Sequence, residues 1–402
     1  MIRHLFTLMW NRKRANGLLV LEIVLAFVVL FAVSSLGVYL WRNYRAPLGF
    51  AYEQVWTVSL SPSGQPSRGQ VLGTLQQVIQ RLKAIPGVAG VSRSEGNTPY
   101  AFASNNGDLS AGEGTRKREC EVANYYNASP EFREVMGLQL KAGRWFDRRD
   151  EAVNSRSVVI TESLRDALFA PSESPLGQII QGGPTRMLPK PWRVVGVSGP
   201  YRGDGELSES KPAIFLCVSP QDTADALTTL LVRVQPGSGA VLEKKISDDI
   251  RAVGPTWSST ITPLANQRRV QFKQLLTPPV ILGVVSLFLL INVALGLYGV
   301  LWLNISQRRG ELGVRRAMGA TAGGISGQVL GEILVLTTFG LLLGLLVAVQ
   351  FPLLGVLGVP AGVYGTAMAL AAAGLYALAT GCALYPGRLA AAIQPAVALR
   401  EE

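Results

Sequence analysis

The chain has 402 residues, of which 48% are hydrophobic and only 16% are charged, and its formal net charge is +11. The mean hydropathy is +0.27. Low charge with positive hydropathy is untypical of soluble globular proteins, so a soluble enzyme is excluded. The apolar excess lies in four windows, each long enough to cross a bilayer as a helix, at residues 18–40, 280–303, 325–350 and 363–386.

The first window is interpreted as a retained membrane helix rather than a cleaved signal. It is longer than the apolar part of a secretory signal and ends in Tyr39-Leu40-Trp41, which is typical of an interfacial aromatic belt. We predict transmembrane helix 1 over 17–41. Apolar residues at helical spacing before it predict a cytoplasmic interfacial helix over 1–16.

Basic residues predict the orientation of the chain. Arg12, Lys13 and Arg14 precede the first window, and the loop 304–324 carries four arginines against Glu311. Because short loops rich in Arg and Lys stay inside, both termini and this loop are predicted to be cytoplasmic, with the tail at 387–402. The long segment 42–279 is then extracytoplasmic.

The extracytoplasmic segment is predicted to be an α+β domain, because its strands come in groups separated by helices. Residues 103–118, rich in Gly, Ser, Asn and charge, are predicted to form a loop or a weak excursion of the chain. Cys120 and Cys217 both lie in this domain, and two free thiols are favoured over a disulfide bond. The strands are predicted at 55–60, 88–92, 120–126, 156–161, 192–197, 213–218 and 230–234, and the helices at 72–83, 161–168 and 240–253.

The residues needed for several kinds of catalysis are missing from the sequence. The only histidine is His4, which removes Ser-His-Asp and Cys-His catalysis and histidine-based zinc sites. No phosphate-binding Walker loop occurs in the sequence. We therefore predict no catalytic residue, no metal site and no cofactor on this chain.

Polar and small residues inside the windows are candidate contact points between helices. Buried ionisable groups are costly in a membrane, so Glu22 and Glu332 are candidates for bonding between helices or at the interface, with proton transport as the less favoured alternative. Gln328 is predicted as a third intramembrane polar residue. Small residues spaced four apart let helices approach closely. The glycines predicted to serve helix packing or dimerisation are Gly327, Gly331, Gly340 and Gly344.

The inner loop 304–324 is the most informative stretch. Glu311, Arg315 and Arg316 are expected near one face of a short helix between two spans. Such a charged helix suits docking to a cytoplasmic protein, although a positive-inside anchor would have the same arginines.

This loop resembles the signature of MacB-like/FtsX-like ABC transporter permeases, R-x-x-E-x-G-x-R-R-A-x-G-A, followed by a Gln and a Glu in the third span. Pro395–Arg400 resembles the closing P-x-x-A-L-R of that family, and Gly137–Phe146 resembles the G-x-x-x-x-x-G-R-x-F segment of its periplasmic core domain. The resemblance implies that the loop contacts the ATPase through Arg308, Arg309, Glu311, Leu312, Gly313, Arg315, Arg316, Ala317, Gly319 and Ala320.

The resemblance implies an α-helical membrane protein with four transmembrane helices and a large α+β extracytoplasmic domain, of porter-like and sabre-like parts, between helices 1 and 2. An FtsX-like permease domain would occupy 280–386. The protein would couple ATP hydrolysis on a separate cytoplasmic ABC ATPase, which binds ATP and Mg, to motion of that domain.

The resemblance implies two further partners, a second permease, in a homodimer or a paralogous heterodimer, and a periplasmic adaptor. It also implies that this chain lies in the plasma (inner) membrane. Export and lipoprotein extraction both remain open. So do an FtsX-type regulator of an extracytoplasmic enzyme and a transmembrane sensor.

Overall fold

The computed structural model describes residues 13–64, 66–112, 114–147, 150, 155–182, 191–218 and 228–391. The chain divides into two compact units. We call Met1–Arg42 with Leu275–Glu402 the membrane unit, and Asn43–Gln274 the outer unit. The predicted interfacial helix falls largely on residues 1–12 and the closing motif on 395–400, both outside the described residues.

The elements run as follows in chain order. The helices are α1 (Lys13–Arg45), α2 (Arg68–Lys83), α3 (Phe132–Met136), α4 (Glu162–Leu168), α5 (Ala240–Val253), α6 (Leu264–Gln307), α7 (Arg309–Ala317), α8 (Ala322–Ala348), α9 (Gln350–Leu353) and α10 (Ala361–Ala391). The strands are β1 (Val55–Ser61), β2 (Val88–Ser94), β3 (Asn106–Ala111), β4 (Arg118–Ala128), β5 (Leu140–Gly143), β6 (Arg156–Thr161), β7 (Ile179–Gly182), β8 (Trp192–Ser198), β9 (Ala213–Cys217), β10 (Thr229–Val234) and β11 (Ser258–Pro263).

Four helices in the described residues are long and apolar enough to cross a membrane, at Leu19–Arg45, Leu264–Gln307, Ala322–Leu353 and Ala361–Ala390. The predicted fold class is thereby confirmed, with an α+β domain between the first and second of these helices. The membrane unit has one hydrophobic core that includes residues of all four, among them Phe27, Leu297, Leu336 and Leu375.

The outer unit contains two parts that share one sheet. Strands from the two ends of its sequence form an antiparallel sheet in the order β11-β1-β10-β2, and α2 and α5 pack on one face of it. Strands from the middle close a ring through the pairs β4-β3-β7-β8-β6-β9 and back to β4. The two parts connect where Ser94 of β2 pairs with Ala128 of β4.

Strand alternation explains the four-stranded sheet. Trp56, Val58 and Leu60 of β1 lie in the core beneath α2 and α5, because alternate side chains of a strand point to opposite faces. Thr57 and Ser59 therefore lie on the other face. The helix α2 begins at a capping box, in which Ser67 and Gln70 satisfy each other's backbone N–H groups.

The structure corrects the prediction of a loop over 103–118. Asn106–Ala111 is β3, which pairs with β4 on one side and β7 on the other. Its sequence is rich in Gly, Asn and Asp and therefore has a low strand propensity. The strand is stabilised by pairing with its two neighbours and not by the propensity of its own residues.

The two cysteines of the outer unit lie in separate hydrophobic clusters. Cys120 packs with the ring strands and Cys217 packs with the aromatic cluster around Phe132 and Tyr201. Burial raises the pKa of the Cys120 thiol.

Candidate functional site

The segment between the second and third spans forms a short helix, α7, held between two turns. Gly319 adopts a left-handed backbone conformation, with φ +97°, which ends the helix at little cost because glycine has no Cβ atom. Thr321 then caps α8, since its hydroxyl accepts the N–H of Gly324 at 3.2 Å.

One side of α7 is anchored in the membrane unit. Leu312 is 6% exposed and belongs to the unit's hydrophobic core, and Gly313 beside it is also buried. Burial of Leu312 fixes the rotation of the helix about its axis. The opposite side is left uncovered in the single chain.

The uncovered side of α7 presents both apolar and charged residues. Val314 is 43% exposed and Met318 is 77% exposed. Arg309, Glu311 and Ala317 are also exposed. An exposed Met and Val beside charges form a surface suited to a protein partner.

Side chains of α7 and α8 form a polar network that joins residues far apart in sequence. Arg308 Nη1 lies 3.2 Å from Glu332 Oε1. Gln328 donates to the same carboxylate at 3.3 Å. Arg315 donates to Gln328 Oε1 at 2.9 Å and to Glu311 Oε1 at 2.6 Å. The network fixes α7 to the first turns of α8.

The structure thus brings two predicted groups of residues together. Gln328 and Glu332 contact Arg315 and Arg308 of the α7 region, so residues predicted to contact the ATPase are bonded to residues predicted as intramembrane polar groups. Glu22 is placed elsewhere, against the backbone of α6, where a Cβ atom at Gly296 would lie 2.6 Å from Glu22 Oε2.

The four predicted packing glycines divide into two pairs. A Cβ atom at Gly340 would lie 2.6 Å from Ile23 Cγ2, and one at Gly344 would lie 2.5 Å from Phe27 Cδ1. These two allow α1 to approach α8 within one chain. A Cβ atom at Gly327 or at Gly331 would have no atom of the described residues within 4 Å.

The sequence analysis missed a second polar cluster, in the outer unit, centred on the loop at 200–208. Arg202 is 2% exposed and donates to the carbonyl oxygens of Asn43, at 2.7 Å, and Ala46, at 3.0 Å. Asn43 in turn donates to the Leu207 carbonyl at 3.1 Å. The loop thereby holds the last turn of α1, whose terminal carbonyl groups lack helical partners.

The same loop holds the beginning of α6. Glu206 accepts from Arg268 Nε at 2.5 Å, and the Arg268 guanidinium lies 4.9 Å from the Tyr52 ring centre and 4.7 Å from that of Phe272. Tyr100 lies beside Glu206, with 3.4 Å between the hydroxyl and Oε1, and burial raises its pKa. We call this loop, 200–208, the clamp loop.

The residues of Gly137–Phe146 make contacts within the outer unit that hold the segment in place. Gly143 has φ +71°, and a Cβ atom there would collide with the Val195 carbonyl oxygen. Arg144 donates from both terminal nitrogens to Asp150, at 2.7 and 2.6 Å. Phe146 is 1% exposed. These contacts fasten the segment to β8 and to the ring.

The comparisons with known proteins agree with this architecture. Residues 17–253 match the profile of the MacB-like periplasmic core domain, and residues 283–395 match that of the FtsX-like permease C-terminal domain. The first profile alone covers more than half of the chain. The chain therefore belongs to the family of MacB-like/FtsX-like ABC transporter permeases, and it is a multi-pass membrane protein.

Curated relatives are longer than this chain. A macrolide export ATP-binding/permease protein MacB 1/2 of Paracoccus denitrificans is 25% identical over 82% of this chain and 51% of its own length. The MacB of Neisseria meningitidis serogroup A is 26% identical over 56% of this chain and 34% of its own length. This chain thus spans about a third to a half of those relatives.

Two solved structures are similar to the chain. The periplasmic region of MacB from Actinobacillus actinomycetemcomitans has 19% identity and a TM-score of 0.38, covering 54% of this chain and 92% of that one. The extracellular domain of the noncanonic ABC-type transporter YknZ from Gram-positive bacteria has 16% identity and a TM-score of 0.33, covering 51% and 99%.

Proposed function

We propose that this protein is the permease subunit of an ATP-driven transporter, in which ATP hydrolysis moves the outer unit to export or extract a substrate. The observation that carries the proposal is α7, which is anchored through Leu312 and Arg308–Glu332 and leaves Val314 and Met318 exposed. A helix that is fixed on one side and exposed on the other can transmit a displacement from a docked partner to α8.

The partner that docks on α7 is a cytoplasmic ABC ATPase. ATP and Mg bind to that subunit and not to this chain. The arginines of the loop support a cytoplasmic position for α7 by the positive-inside rule, with both termini on that side of the plasma (inner) membrane. A second permease, identical or paralogous, and a periplasmic adaptor complete the assembly.

Motion reaches the outer unit through the continuous helices α1 and α6. The clamp loop binds the last turn of α1 through Arg202 and the first turns of α6 through Glu206. Because one loop holds both helices, a displacement of either is passed to the strands on both sides of that loop. This is mechanotransmission, in which the substrate is handled outside the membrane.

The first test is to purify the tagged chain from its native membrane in mild detergent and identify the proteins that accompany it. We expect an ATPase with Walker motifs. The complex is then reconstituted in nanodiscs to measure ATP hydrolysis with and without the permease.

The decisive variant reverses two charges of α7, Glu311→Lys with Arg316→Glu. We expect loss of ATPase stimulation with unchanged membrane insertion. The matched control is Glu243→Lys with Lys244→Glu, an equal change on exposed positions of α5. Undiminished stimulation by the α7 variant would refute docking at α7, and a cell-wall hydrolase in the purified complex would support the regulator instead.

A further inference from the structure

A cleft of about 340 Å³ lies within the outer unit, on the face of the four-stranded sheet opposite to α2 and α5. The sheet forms one wall, the segment 96–102 forms another, and the first turns of α6 form the third. Its volume falls in the range of ordinary small-molecule sites, about 300 to 1,000 Å³.

Hydroxyl groups from three neighbouring strands line the sheet wall. Thr57 and Ser59 lie on the same face of β1 by strand alternation. Ser59 pairs directly with Thr229 of β10, and Thr57 pairs with Thr262 of β11. All four line the cleft, so they form a compact patch of hydrogen-bonding groups.

Two polar atoms of the lining are buried and lack a partner among the described residues. Thr57 is 4% exposed, and its Oγ1 makes no hydrogen bond to a described residue. Gln267 is half-buried, but its Oε1 atom is buried and has no described partner either. A buried polar atom without a partner costs about 1 to 3 kcal/mol, so such atoms are uncommon and call for a cause. A ligand that donates to Gln267 and bonds to Thr57 supplies one.

The rest of the lining restricts what the ligand can be. No acidic or basic side chain is among the described residues that line the cleft. Phe102, at the rim of the cleft, is 69% exposed. The nearby Tyr100 has a left-handed backbone conformation, with φ 64°, and its N–H donates to the Gly203 carbonyl oxygen at 2.8 Å. An exposed aromatic ring beside neutral hydroxyl and amide groups suits a ring with one apolar face and several hydroxyls.

We propose that this cleft binds an uncharged glycoside. The sugar hydroxyls bond to the Thr57, Ser59 and Gln267 side chains, and the apolar face of the ring rests against Phe102. The inference goes beyond the proposed coupling to an ATPase, because binding is measured on the chain alone, without nucleotide or partner.

The test uses the full chain in lipid nanodiscs, prepared without alkyl glycoside detergents because those would occupy the cleft. Saturation-transfer NMR measures binding of methyl β-D-glucoside, with methyl β-D-glucuronide as a charged counterpart. We expect transfer to the glucoside and much weaker transfer to the glucuronide. An uncharged, blocked Gly-Ser-Gly peptide tests the competing class of ligand.

Two variants locate the site. Ser59→Trp fills the cleft from an exposed position and should abolish transfer, whereas the same substitution at exposed Ser172, outside the cleft, should leave it intact. Thr57→Val removes only the unpartnered hydroxyl. This variant should weaken binding about fivefold, because one hydrogen bond to the ligand is lost. It should not lower the midpoint of heat denaturation.

Several results would overturn the proposal. They are no transfer to the glucoside by the unmodified chain, equal transfer by Ser59→Trp, equal transfer to the glucuronide, or displacement of the glucoside by the peptide at lower concentration. Since Thr57→Val conserves shape, its result stands even where Ser59→Trp fails to fold.

Discussion

Arg268 at the start of α6 and Glu206 of the clamp loop form an ion pair with an N···O distance of 2.5 Å. The two side chains are 28% and 10% exposed, so water screens the pair little. The guanidinium also lies over the rings of Tyr52 and Phe272. Arg268 is therefore enclosed by groups that favour its charge.

Glu206→Gln should destabilise the outer unit, because it leaves Arg268 charged and without its carboxylate. Removing one partner of a buried pair costs about 3 kcal/mol at the lower end of the usual range, and the partial exposure of Arg268 argues for that end. For a unit of this size the midpoint of heat denaturation should fall by about 6 to 12 °C. Circular dichroism of the purified protein measures it.

The control replaces both partners, Glu206→Leu with Arg268→Met. This variant should be more stable than Glu206→Gln, because no charge is left buried alone. If the clamp loop transmits force, the double variant should also lower ATPase-driven motion of the outer unit. Equal stability of the single and double variants would contradict the pairing.

Arg308→Glu should uncouple the membrane unit from the ATPase, because it sets two carboxylates against each other where Arg308 and Glu332 now lie 3.2 Å apart. We expect ATPase stimulation to fall about fivefold or more, the scale of a typical coupling free energy. Stimulation of ATP hydrolysis in nanodiscs measures the effect.

The exchanged pair, Arg308→Glu with Glu332→Arg, provides the matched test. Opposite charges face each other again, so part of the stimulation should return. A failure of the exchange to recover anything would show that Arg308 acts through the partner rather than through Glu332.

The sequence predicted the spans and most strands because hydropathy and alternation are local signals. β1 is clear from its alternation, and its core residues Trp56 and Val58 lie where that pattern places them. The polar beginning of α6 was not visible in the same way. Arg268, Arg269 and Lys273 lower the hydropathy there, so only the apolar window from 280 onward indicated a helix.

The candidate site was predicted as a list of residues but not as an arrangement. The motif indicated Arg308 and Glu332 separately, whereas their pairing depends on how α7 folds against α8. Glu22 has the same sequence signal as Glu332, yet it packs beside Gly296. Arg202 carried no signal at all, because an arginine that binds main-chain carbonyls has no fixed spacing from them.

Asp150→Asn should remove a source of acid sensitivity from the outer unit. Burial alone would raise the pKa of Asp150, but hydrogen bonds from Arg144, the Asp147 N–H and Ser157 outweigh it and lower the pKa to about 2. An unpaired Asp titrates at about 3.9, so this stabilisation is complete above about pH 4 and is lost as the pH falls towards 2.

Heat denaturation at several pH values between about 5 and 2 measures this contribution. The variant should be less stable than the native chain at pH 5 by about 2 kcal/mol, and the difference should shrink on acidification. Glu119→Gln serves as the control, since Glu119 pairs with Lys117 at the surface and is 62% exposed. If the difference in stability between Asp150→Asn and the native chain does not change with pH, the lowered pKa of Asp150 is contradicted.

Gly344→Ala and Gly327→Ala should have opposite consequences although both glycines belong to one small-residue pattern. A methyl group at Gly344 would collide with the Phe27 ring, so we expect a loss of about 2 kcal/mol from overpacking. The same group at Gly327 would have no neighbour within 4 Å in the part of the chain that the structure describes. The Gly327→Ala variant should be as stable as the native chain or more stable, because alanine has a higher helix propensity than glycine.

A larger residue at the open position tests the predicted dimer contact. Gly327→Leu should lower self-association in nanodiscs, measured by energy transfer between labelled chains, while leaving heat denaturation of the chain unaffected. Gly344→Leu should instead impair folding before it affects association, since Phe27 belongs to the same chain. Full self-association by Gly327→Leu would place the contact between copies on another face of the membrane unit.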